Sequence, residues 1–115
     1  MKNKRTVYEN YLDKVPMHKD GLNWSIDENG TVMLEVENKG IANKILQVLL
    51  KKPKISFIHL EEMGSFIWQK IDGKKNVFAI GKEVKEHFGE NAEPLYERIT
   101  QYFGILESYG FVEFR

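Results

Sequence analysis

Asn29-Gly30 lies between two runs that alternate apolar and polar residues, Trp24-Ser25-Ile26-Asp27 and Thr31-Val32-Met33-Leu34-Glu35-Val36-Glu37. No other short feature restricts the chain as strongly. An Asn-Gly pair tolerates the positive φ angles of a tight turn, and period-two alternation turns one face of each run toward a core. The prediction is an antiparallel hairpin with one apolar face. A two-stranded hairpin is marginal alone, so the rest of the chain must supply a layer to cover it.

That layer is legible downstream. Ile41, Ile45, Val48 and Leu49 share one helical face, widened by Leu46, and Pro53 stops the pattern behind Lys51 and Lys52. Lys54 adds to the positive charge favoured near a helix C-terminus. This is an expected helix over 41–52, inserted between the second strand and a third, Ile55 to Leu60. Three helices follow: about Met63–Ile71, about Val77–Phe88 with Gly89 as its stop, and Pro94 to about Tyr109. Gly110 ends the last one, and Phe111–Phe114 reads as a short strand. Residues 1–20 show no period and close on Asp20-Gly21, so they read as an N-terminal arm before one domain over 21–115. The order β-β-(α)-β-α-α-α-β is an α+β architecture of the winged-helix plan, a small antiparallel sheet packed on a three-helix unit.

Composition narrows the chemistry. The absence of Cys excludes disulfides, thiol nucleophiles and thiolate metal clusters. Lys+Arg and Asp+Glu both number 17, and this balance argues against nucleic acid as the main partner. No apolar run approaches the roughly 20 residues that span a bilayer. The polar start Met1-Lys2-Asn3-Lys4-Arg5 leads into no apolar stretch, so the expected location is the cytoplasm.

The last helix matters most for function. At about 100° per residue, Leu95, Ile99, Tyr102 and Leu106 form a central stripe. Tyr96 and Phe103 widen one edge, and Ile105 and Tyr109 the other. The arc is wider than contact with one layer requires. Either part of it walls a groove for a partner peptide, or all of it is core and ordinary aromatic surface. Residues 55–60 offer either an unpaired edge beside that helix, to which an extended peptide could add, or an interior strand.

The same helix pair could read DNA, but the exposed positions of the last helix hold Glu97, Arg98, Thr100, Gln101, Glu107 and Ser108, one base against two acids. His18, His59 and His87 lack metal spacing, and His59, between apolar residues, reads as a hydrogen-bonded structural histidine. Glu61-Glu62 suits a helix N-terminus better than acid–base chemistry. Trp68 reads as partly buried, its ring N–H seeking a partner. No nucleophile–base pair can be picked out, so the sequence points to no enzyme, no metal and no cofactor. The 41–52 helix could lie on a membrane or pack across a homodimer; the plainer reading is that it covers one end of its own sheet.

Leu60, Glu62, Gly64, Ile67 and Trp68 form a Leu-x-Glu-x-Gly-x-x-Ile-Trp pattern, followed by Asp72-Gly73 and by Leu106 with Gly110-Phe111. This ordered set resembles the PqqD-like family, over roughly residues 24–114. The resemblance implies a winged-helix-like domain that binds the leader of a precursor peptide as an added strand between the third strand and the third helix. It implies presentation of that peptide to a maturation enzyme, often of the radical S-adenosylmethionine type. By element it implicates Ser56, Phe57, Ile58 and His59 on the strand, and Leu95, Tyr96, Ile99, Tyr102, Phe103 and Leu106 on the helix. The arm and the inserted helix depart from the compact pattern and point to a ribosomal peptide other than the pyrroloquinoline quinone precursor. The rival expectation is a winged-helix transcriptional regulator.

Overall fold

The structure is a computed structural model that describes residues 11–37 and 55–115. The expected helix over 41–52 and the first ten residues of the arm lie outside the described residues.

The hairpin forms, with a longer loop than the Asn-Gly pair predicts. β2 (Asn23–Ile26) and β3 (Val32–Glu37) pair antiparallel, Trp24 opposite Leu34 and Ile26 opposite Val32. The turn runs from Asp27 to Thr31 because the Asp27 side chain organises it. Its Oδ1 accepts from the backbone N–H of Asn29 at 2.8 Å and of Thr31 at 2.9 Å. Gly30 alone takes the positive φ, at 83°. β4 (Ile55–His59) pairs with β3, so the three-stranded sheet has the order β2-β3-β4.

A second, two-stranded sheet was not foreseen. β1 (Pro16–His18) pairs antiparallel with β5 (Val112–Phe114). Residues 16–18 of the expected arm are thus paired with the last strand. Leu12 and Pro16 are buried, and the Lys14 carbonyl accepts from Val77 N–H at 2.9 Å. A three-residue strand that starts with proline carries no periodic signal.

The helices match expectation to within a residue or two: α1 (Glu62–Lys70), α2 (Val77–Phe88) and α3 (Leu95–Ser108). Asn76 caps α2, its side chain accepting from Ala79 N–H at 2.8 Å. Among the described residues the architecture is α+β, small antiparallel sheets with three α-helices. The core joins Val32 and Leu34 of the sheet to Ile67 and Trp68 of α1, Val77, Ile80 and Val84 of α2, and Ile99, Phe103 and Leu106 of α3.

Trp68 is fully buried, deeper than expected, and its ring N–H has no acceptor among the described residues. His18 stacks on it at 4.2 Å, and Trp24 meets it edge-on at 5.9 Å. The structural histidine is thus His18, whose Nε2–H donates to the Trp68 carbonyl at 3.0 Å. His59 is exposed at the end of β4, contrary to expectation, because it alternates with Ile58, which shares the face of buried Leu34, and so lies on the face away from the helices.

Candidate functional site, a cleft between two helices

β4 has a strand partner on one side only among the described residues. Leu60 N–H donates to the Val32 carbonyl at 2.9 Å. In an antiparallel ladder the residues whose backbone groups face the partner alternate, so Ile58 and Ser56 face β3. The backbone N–H and C=O of Phe57 and His59 point away from the sheet. Ile58 stands opposite Leu34 and shares its helix-facing side. Leu34 is fully buried, whereas Ile58 is 38% exposed and Phe57 56%. The sheet's edge therefore overhangs the helix layer.

One residue beyond Leu60 the chain enters a cleft of about 290 Å³ between the start of α1 and the outer face of α3. Met63, Gly64 and Ile67 form one wall, Tyr102 and Ile105 the other, with Glu61, Arg98 and Gln101 at the rim. Two side chains fix these walls. The Ser65 hydroxyl accepts from Val32 N–H at 2.9 Å and donates to the Leu60 carbonyl at 3.0 Å, tying α1 to both β3 and β4. The Tyr102 hydroxyl donates to the Gly64 carbonyl at 2.8 Å, tying α3 to α1. Burial, with the Glu61 carboxylate adding to it, holds the Tyr102 phenol well above its ordinary pKa, so it remains a donor.

The wide arc of α3 divides between two tasks. Ile99, Phe103 and Leu106 are buried in the core and present no surface to a partner. Leu95 is half-buried against the core, and Tyr102 is half-buried between core and cleft. Tyr96 and Ile105 are exposed. Of the α3 residues that the resemblance implicates, only Tyr102 lines the cleft, and Phe57, Ile58 and His59 of β4 are not among its lining residues. Ser56 is placed by its backbone in β4. Met63, Gly64, Ile67, Arg98, Gln101 and Ile105 complete the site. The spacing of 98, 101, 102 and 105 along one helical face was the available signal.

A larger hollow of about 440 Å³ lies between the Lys19–Asn23 turn, Val36 and Tyr109–Phe111. It borders β2 and β3, away from β4. Among the described residues no three His, Asp or Glu side chains converge as metal ligands, and no helix is long and apolar enough to cross a membrane.

Fold and cleft together define a small α+β domain whose surface cleft begins just after β4, a strand with one partner among the described residues. The chain matches the family model of coenzyme PQQ synthesis protein D (PqqD) over residues 30–112, and it belongs to that family. Membership places it among accessory proteins of PQQ and ribosomal-peptide biosynthesis. The chain has no significant match among curated proteins or solved structures.

Proposed function

We propose that the protein is a peptide-binding adaptor that captures a ribosomally made precursor peptide by strand addition on β4 and presents it to a maturation enzyme. The observation that carries this reading is the outward-facing backbone of Phe57 and His59 at an edge that leads straight into the α1–α3 cleft. An added strand would gain backbone hydrogen bonds from that edge, and alternate side chains would enter the cleft. Family membership supports a partner enzyme, which we take to be of the radical S-adenosylmethionine type, working in the cytoplasm. In this reading the domain follows the winged-helix plan, makes no bonds itself and acts by raising the local concentration of the peptide.

Ile105 supplies the test, because it is 48% exposed and lines the cleft. Peptides of about twelve residues are selected from a displayed random library on the wild-type chain, and their affinity is measured by fluorescence anisotropy. Ile105→Glu should reduce affinity at least tenfold with an unchanged melting curve. Equal affinity for wild type and variant would remove the cleft from the site. A wild-type chain that enriches no peptide, but binds duplex DNA with steep salt dependence, would replace the adaptor by a regulator.

A further inference from the structure

Gly64 is buried in the first turns of α1, where a helical glycine has no conformational advantage. Its φ is not in the left-handed region, so backbone geometry does not explain it. Packing does. A Cβ built at Gly64 would lie 3.1 Å from Cε1 of Tyr102, 3.4 Å from its hydroxyl and 3.5 Å from Cζ. The first of these is closer than side chains normally tolerate. The phenol ring therefore rests on the bare helix backbone, and its hydroxyl reaches the carbonyl of the same residue at 2.8 Å. Both residues line the cleft. The ring cannot sink further toward α1, because the Gly64 backbone stops it, and the hydroxyl bond keeps it from swinging out.

We infer that the Gly64–Tyr102 contact is the width gauge of the cleft and sets which side chain of a bound peptide it admits. The inference rests on the peptide-binding reading above and deepens it. The open volume of about 290 Å³ exceeds the roughly 150 Å³ that suffices for a benzene-sized guest. With Gly64 in place the cleft takes one bulky apolar side chain, donated by the strand residue that faces the helices as Ile58 does. Adding a methyl group at position 64 moves the ring by a few tenths of an ångström into that space. Removing the ring enlarges it. Tyr102 is a positioning residue through its hydroxyl and a size filter through its ring.

The test uses the full chain and the peptide of highest affinity selected on the wild type, resynthesised with Ala, Leu, Phe or Trp at its cleft-facing position. Gly64→Ala should shift the Ala-to-Phe affinity ratio at least tenfold toward Ala. Tyr102→Leu should shift the ratio toward Trp, and Tyr102→Phe should weaken all four peptides several-fold with their ranking intact. A change in stability alone would lower every affinity in proportion; ratios that stay fixed in both Gly64→Ala and Tyr102→Leu overturn the inference while the adaptor reading stands. Failure of the wild type to enrich any peptide takes down both. Should the Gly64 and Tyr102 variants not fold, the wild-type chain still decides. Its Gly64 amide and Tyr102 ring resonances should move on addition of the Phe peptide and less so with the Ala peptide, and equal shifts would overturn the gauge.

Discussion

The Ser65 hydroxyl occupies the place where a ladder bond from Val32 to Leu60 would close. Leu60 N–H reaches the Val32 carbonyl directly, but the return bond passes through the serine, which accepts from Val32 and donates to Leu60. Ser65 is 3% exposed and is the one buried polar side chain in the core of the described residues. Serine is a weak helix former, and its cost in α1 is offset by satisfying two backbone groups that water cannot reach. Ser65→Ala keeps the shape and leaves one donor and one acceptor unpartnered. The expected loss is about 1–3 kcal/mol of unfolding free energy, read as a lower urea midpoint with an unchanged slope. No loss would mean that the two strands close directly on each other and that the serine is a spacer only.

At the scale of elements, the orientation of β4 makes a sharper prediction. Proline removes a backbone N–H and is tolerated in a strand only where that N–H faces outward. His59→Pro deletes an outward N–H and should abolish peptide binding with a small change in stability. Ile58→Pro deletes an N–H that faces β3 and should cost stability first. Melting curves and anisotropy on the two variants separate these effects, and the opposite pattern would mean that the register is shifted by one residue. The same scale shows where sequence reasoning reaches and where it stops. Helix and strand positions were legible because long periodic runs carry their own signal, as in α2 and in the hairpin around Gly30. The division of α3 was not. Periodicity identifies Ile99, Tyr102, Phe103 and Ile105 as one apolar arc, but only the placement of α1 decides that Ile99 and Phe103 are core and Ile105 is wall. His59 was misjudged for the same reason: flanking apolar residues do not say which face of the strand the helices cover.

At the scale of the molecule, β1 closes the fold, and it does so through a titratable group. His18 pairs with Val112 across the small sheet, stacks on Trp68 and meets Trp24 edge-on at 5.3 Å. Its imidazole thus joins β1, β2 and α1. Burial lowers its pKa from the ordinary 6.5, and the bond to the Trp68 carbonyl works against that shift without cancelling it. Because the folded pKa lies below the unfolded one, the unfolded chain takes up the proton first, and stability falls as pH drops below about 6.5. The paired carboxylates act lower down. Lys75 holds Glu83 below its ordinary value, Lys85 does the same for Glu93, and the backbone N–H groups of Lys75 and Lys74 do so for Asp72. Their stabilisation is present above the unfolded values of 4.5 for Glu and 3.8 for Asp and is lost as pH falls further. Two separate descents should appear in the melting temperature, one beginning below about pH 6.5 and one below about pH 4.5. His18→Gln keeps a side-chain donor and removes the titration, so it should flatten the first descent and leave the second. A first descent that survives in His18→Gln would assign it to other groups and detach β1 from the pH response of the fold.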